Sequence, residues 1–142
     1  MKKSTFYILS LTWGLPLTLI GLIVAFVLVC AGHRPKKWGW CYYFEAGTGW
    51  GGLELGIIFL TSKDPSKKCK HHEFGHAIQN CYFGPLMPFI VCIPSAIRYW
   101  YRRSRESRGL RNYTSYDSIW FEGQATRLGI KYYYKKRCWR EK

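Results

Sequence analysis

From Phe6 to Ala31 the chain runs 26 residues without one Asp, Glu, Lys or Arg. As a helix that run would extend roughly 39 Å against a hydrocarbon core of about 30 Å, which predicts an N-terminal transmembrane anchor within residues 1–33. Gly14 and Pro16 interrupt it, so the expectation includes a kink or an interfacial first turn. Lys2 and Lys3 imitate the charged end of a signal peptide. The apolar run is too long for one, however, and Val29-Cys30-Ala31-Gly32 lacks the small-x-small pattern of a cleavage site.

Residues 34–142 alternate more. Trp40 to Glu45 and Leu53 to Thr61 carry the β-branched and aromatic residues of strands, joined by the glycine-rich stretch from Gly47 to Gly52, and a hairpin is the simplest pairing. Gly56 within the second run predicts a bulge, a close approach by another backbone or a weak point. Asp64-Pro65 has the form of a helix start and Gly84-Pro85 that of a stop, giving a helix over about 65–82. Phe74, Ala77, Ile78 and Cys81 form its packing face, while His72, Gly75, His76 and Gln79 share a second stripe. Residues 86–97 are a second apolar run, broken by Pro88 and Pro94 and too short for a confident span, so an interfacial or re-entrant segment is expected. A basic loop, 104–114, leads to a last helix that begins near Ser115, with Asp117 in its first turn. The fold class is therefore α+β: an anchor, a β-hairpin or small sheet, and two helices carrying the chemistry. The tail from Tyr132 to Arg137 reads as a frayed surface helix.

Charge changes this picture in one respect. The 142 residues carry a formal +14, and hydrophobic residues make up 48% and aromatics 18%. The chain is too apolar for disorder, and a basic body beside a bilayer points to anionic lipid contacts, through Arg98 to Arg111 and the interleaved Tyr99, Trp100 and Tyr101. Nucleic acid could use the same charges, but no reader motif accompanies them. The six cysteines form no C-x-x-C pair and read as reduced thiols. With near-balanced flanking charge, they lean towards a single-pass protein of the cell membrane whose body is cytoplasmic.

His72-Glu73-Phe74-Gly75-His76 is an H-E-x-x-H motif. Residues four apart on a helix stand one above the other, so both imidazoles can hold one Zn²⁺ while Glu73 turns towards water on the open side and serves as general base. His71, about 100° further round the helix, reads as a solvent-facing neighbour. Two alternatives compete: ordinary polar positions on an amphipathic helix, and a structural zinc site of Cys69, His72, His76 and Cys81, whose spacings match no familiar finger.

At this motif the sequence resembles the zincin metallopeptidases, and Trp120-Phe121-Glu122-Gly123-Gln124-Ala125-Thr126 resembles the glutamate helix of the gluzincin type. The resemblance covers about Leu53 to Gly129. It implies Glu122 as third metal ligand and a substrate strand added beside Leu53–Thr61. It also leaves a gap: Thr126 stands where these enzymes commonly carry the Asp that supports a metal-binding histidine. H-E-F-G-H with W-F-E-x-Q-A-T is also similar to small bacterial membrane proteins of unassigned function. Independently of the family, Ser118, Ala125 and Gly129 share the Glu122 stripe, so this carboxylate leaves a small-residue face that can approach another helix closely, with Gly75 as the matching gap. The rival for Glu122 is an exposed helix glutamate; Asp117 is the next candidate ligand. For the oxyanion the candidates are Tyr132, Tyr133, Arg127 and His71.

The expected function is hydrolysis of peptide bonds in a peptide or protein substrate by a membrane-anchored zinc peptidase. The alternative is a non-enzymatic membrane-surface protein that binds anionic lipid or a protein partner.

Overall fold

In the computed structural model, which describes residues 1–138, the apolar N-terminal run folds as two helices rather than one. Helix α1 (Lys3–Leu11) and helix α2 (Leu15–Cys30) meet at 90°. The corner has a local cause. Gly14 packs against Asn80 so tightly that a Cβ would lie 2.5 Å from the Asn80 side-chain nitrogen. Pro16 then sits in the first turn of α2, where its missing N–H costs no hydrogen bond. The continuous span expected here is thereby corrected. Helix α2, with 16 residues, is roughly 24 Å long. No single helix among the described residues is long and apolar enough to cross a membrane.

Four short strands follow: β1 (Lys36–Trp38), β2 (Cys41–Glu45), β3 (Gly52–Leu55) and β4 (Ile58–Thr61). The expected second strand is split by Gly56, whose φ of +75° opens a two-residue turn between β3 and β4. Gly56 is also the predicted close approach: a Cβ there would stand 2.1 Å from Thr18 Oγ1 of α2. The expected hairpin between Trp40–Glu45 and Leu53–Thr61 does not form. Strand β2 pairs parallel with β4, and the sheet order β1-β2-β4-β3 puts β3 at an edge.

Helix α3 (Lys67–Phe83) starts two residues later than predicted. Asp64 turns left-handed at φ +53°, and Ser66 caps the helix by accepting the Cys69 N–H at 3.1 Å. Gly84 ends it as expected, with φ +52°. Phe74, Ala77, Ile78 and Cys81 are all buried, packed with Phe6 of α1 and Trp40, Cys41, Tyr43 and Phe59 of the sheet. Residues Pro88–Cys92 form a widened helical turn that leads, after a 116° bend from α3, into α4 (Ile93–Ser107). Helix α4 takes the first four residues of the expected basic loop, and 108–114 form the loop itself. Ser115 precedes only a short turn, Tyr116–Ser118, and α5 (Trp120–Cys138) begins beyond it. The expected surface tail belongs to α5, and Tyr132 is buried in the main core.

Candidate metal centre

Helices α3 and α5 cross at a contact made of small residues. A Cβ on Gly75 would lie 1.8 Å from the Ala125 carbonyl oxygen, and one on Gly129 would lie 1.7 Å from that of His71. This is the close approach expected from the Glu122 stripe, and it brings side chains 46 or more residues apart together. Glu122 Oε2 stands 3.0 Å from His72 Nε2 and 3.2 Å from His76 Nε2, and the two nitrogens are 3.0 Å apart. Glu122 is fully buried rather than an exposed helix glutamate. Among the described residues these three form a group of His, Cys, Asp or Glu side chains able to hold a metal ion. Cys69 and Cys81 do not join them, because Cys81 faces the core against Ser10 at 3.4 Å.

The surroundings fix which nitrogen of each ring carries a hydrogen. Gln79 donates its amide hydrogens to the Phe121 carbonyl at 2.8 Å and Gln124 Oε1 at 2.9 Å, so its own Oε1 accepts from His76 Nδ1 at 2.8 Å. Thr126 donates its hydroxyl hydrogen to Asp117 Oδ1 at 3.3 Å, so its oxygen accepts from His72 Nδ1 at 2.9 Å. With both Nδ1 positions protonated, the neutral imidazoles present bare Nε2 lone pairs to each other and to a carboxylate oxygen. Three acceptors within hydrogen-bond distance of one another repel unless a cation lies between them. The set fits zinc: donors 2.0–2.2 Å from a tetrahedral ion lie about 3.4 Å apart, close to the observed spacings. Glu122 Oε1 is buried with no hydrogen-bond partner, a second mark of an incomplete shell.

Without a cation, a proton takes this place. Burial lowers the affinity of His76 for it, but the hydrogen bond to Glu122 and the charge of Glu73 prevail and push its pKa up to about 9. Burial likewise opposes ionisation of Glu122, and the hydrogen bonds from His72 and His76 hold its carboxyl well below the usual range.

The group forms the floor of a cleft of about 580 Å³ lined by Trp50 to Glu54, by His72, Glu73 and His76, and by Met87, Val91, Ser95, Tyr99, Tyr116 and Asp117. Edge strand β3 is one wall and α4 the other. Glu73 is buried against β3, where Gly52 leaves the room: a Cβ would stand 2.4 Å from Glu73 Oε1. Burial raises the Glu73 pKa against the pull of His72 and His76. Glu54, on the same strand, is pushed up to about 8 by burial, and its Oε2 has no partner.

Several expectations are corrected here. Asp117 stands outside the group formed by His72, His76 and Glu122 and instead accepts the Thr126 hydroxyl hydrogen, which places a carboxylate behind His72 Nδ1. His71 does not face solvent; it is buried between Trp38 and Tyr133. Tyr132 bonds the N-terminal ammonium at 3.1 Å, and none of Tyr132, Tyr133, Arg127 and His71 lines the cleft. Tyr116 does, with its ring 6.0 Å from that of His72 and its hydroxyl 3.0 Å from Ser95 Oγ. The stripe that carried His72 and His76 already contained Gln79, and that pattern was the signal for its role. Nothing in the sequence pointed to Tyr116 or Glu54. Neither a scan against protein-family models nor searches of curated proteins and solved structures found a match for this chain.

Proposed function

We propose that the chain is a zinc-dependent peptidase of gluzincin-like design that works at a membrane surface. The observation that carries this reading is the convergence of two Nδ1-protonated histidines and a fully buried carboxylate on one point, beneath a cleft that also holds a buried glutamate. His72, His76 and Glu122 would hold the metal, and two imidazoles with one carboxylate favour zinc over hard cations that prefer all-oxygen shells. Bound there, zinc supplies a Lewis acid for a carbonyl and lowers the pKa of water to about 7.

The protein's own groups supply the rest. Glu73 has the position and the burial-raised basicity of a general base, able to take a proton from water and deliver it to the leaving amine. Strand β3 is an edge of the sheet and lines the cleft through Gly52 to Glu54, so an extended peptide can lie alongside it. Tyr116 can donate its phenolic hydrogen towards developing negative charge, a role that suits a hydroxyl whose pKa burial pushes up to about 12. The location rests on large hydrophobic residues left exposed along α2, such as Ile23 at 58% and Phe26 at 71%.

The test is hydrolysis of a mixed library of fluorogenic peptides by the full chain, with zinc content measured on the same samples. Wild type should carry about one zinc per chain and cleave. Glu73→Gln should keep the zinc and lose cleavage, because an amide cannot accept the proton. A zinc-free wild type, or a Glu73→Gln variant as active as wild type, defeats the proposal.

A further inference from the structure

Helix α2 has both ends tied to the same folded body. Before it, α1 puts Phe6 into the core beside Trp40 and Phe74. After it, His33 Nδ1 lies 3.1 Å from the Glu45 carbonyl, and β1 joins the sheet through β2. Between these points one face of α2 is buried on the body: Leu17 packs with Leu55, Thr18 meets Gly56, and Gly21 lies against the Leu55 carbonyl. The other face is exposed and apolar at Leu19, Ile23, Phe26 and Val27. A helix fastened at both ends and along one side cannot cross a bilayer and leave its body behind on one face.

A second apolar stripe adjoins it. Leu86, Phe89, Ile93, Ile97 and Trp100 recur at intervals of three and four and are 50–66% exposed at the helical positions Ile93, Ile97 and Trp100, with Phe89 at 68%. The inner side of this segment packs on α2, since Met87 and Val91 share a cluster with Leu17 and Val24. Exposed cations follow α2 at Arg34 and Lys37 and follow α4 at Arg108 and Arg111, and Lys2 and Lys3 stand at the start of α1. Apolar faces bordered by lysine and arginine match the boundary between acyl chains and anionic head groups.

We infer that the protein is monotopic: α2 and residues 86–100 together form one apolar face that sinks into a single leaflet of an anionic bilayer. Helix α4 then has the lipid on its outer side and the metal cleft on its inner side, at Ser95 and Tyr99. This rests on the membrane location proposed above but not on the peptidase chemistry.

The experiment uses the full chain expressed in bacterial membranes. Single cysteines replace Ser4 or Arg34, which bracket α2, while Cys30, Cys69, Cys92 and Cys138 become Ser and the buried Cys41 and Cys81 stay. A membrane-impermeant maleimide is applied to sealed right-side-out and inside-out vesicles. Both positions should label from the same side; labelling from opposite sides overturns the inference. In the otherwise unaltered chain, Ile97→Glu and Phe26→Glu each change an exposed position and should each reduce retention after an alkaline wash by about tenfold or more. A single-span anchor would leave Ile97→Glu fully retained, and that result overturns the shared face. Wild type recovered in the soluble fraction, as a self-associated species or bound to another protein, overturns it too. Zinc content measured in parallel separates any of these failures from failure of the metal site.

Discussion

Thr126→Val tests how His72 is supported. The substitution keeps the volume of the side chain and removes the one hydroxyl that joins His72 Nδ1, 2.9 Å away, to Asp117 Oδ1, 3.3 Å away. Loss of a partner that orients a metal-binding histidine typically weakens metal affinity 10- to 100-fold, about 1.4–2.7 kcal/mol. The lower end applies here, because Asp117 Oδ1 already lies 3.9 Å from His72 Nδ1 and needs an advance of only about 1 Å to accept its hydrogen directly. The bond between Lys68 and Asp117, at 2.9 Å, holds the carboxylate back and argues against full rescue. Thr126→Val should therefore weaken zinc about tenfold. Thr126→Val combined with Asp117→Asn should approach a hundredfold, since no carboxylate then remains to move in, and Thr126→Ser should stay near wild type. Competition against a chromophoric chelator gives each affinity. A Thr126→Val variant within twofold of wild type, with the double variant no weaker, would refute the relay and leave the ring held by its packing alone.

Other expectations follow from the same geometry. His76→Ala should abolish zinc binding, since two ligands do not retain the ion, and metal analysis of the purified variant decides it. Gly75→Ala should lower the thermal midpoint by several degrees, at a cost of about 1–3 kcal/mol or more, because its methyl group meets the Ala125 carbonyl and forces α3 and α5 apart; thermal unfolding followed by circular dichroism measures this. The metal-free protein should lose stability as pH rises. The raised His76 pKa contributes stability that is complete below about 6.5 and disappears as pH passes about 9, and Glu54, raised to about 8, acts in the same direction. The depressed Glu122 pKa contributes above about 4.5 and fails towards lower pH, whereas the Glu54 contribution begins to fall above about 4.5, so the optimum of the metal-free form lies near 4.5. Chemical unfolding from pH 5 to 9 should show that decline, and a stability that rises over the interval would contradict it.

The sequence made the helices of the site legible because their information is local and periodic. Histidines four apart share a face on any helix, and glutamate beside alanine and glycine at helical spacing marks a stripe that can approach another helix. What escaped depends on contacts distant in sequence. Nothing local distinguishes a parallel β2–β4 pairing from a hairpin, since both present the same alternation of apolar residues. The apolar run looked like one span because hydropathy counts residues and cannot see that Phe6 is consumed by a core made with Trp40 and Phe74. Asp117 read as a first-turn charge and the next candidate ligand because the last helix was expected to begin near Ser115; α5 begins only at Trp120, and the fold turns Asp117 and Thr126 towards each other. His71 misled for a related reason: its helical angle was read correctly, but α5 and Trp38 cover the face that it occupies.

The arginines join these threads. As a sequence feature, Arg98 and Arg102 belong to a basic run suited to lipid or solvent. In the fold, Arg98 donates to the Ser115 carbonyl at 2.7 Å and to Ser118 Oγ at 2.8 Å, and Arg102 donates to the Thr114 carbonyl at 2.7 Å. Both guanidinium groups also stand within 6 Å of the Tyr116 ring, at 5.7 and 5.8 Å. They clamp the turn that presents Tyr116 to the cleft and Asp117 to Thr126. Helix α4 thus has three faces with separate tasks: Ile93 and Ile97 outward, Ser95 and Tyr99 over the metal centre, and Arg98 and Arg102 on the loop that orients His72. If the outward face lies in lipid, a displacement of α4 is transmitted to the histidine through two arginines and one threonine.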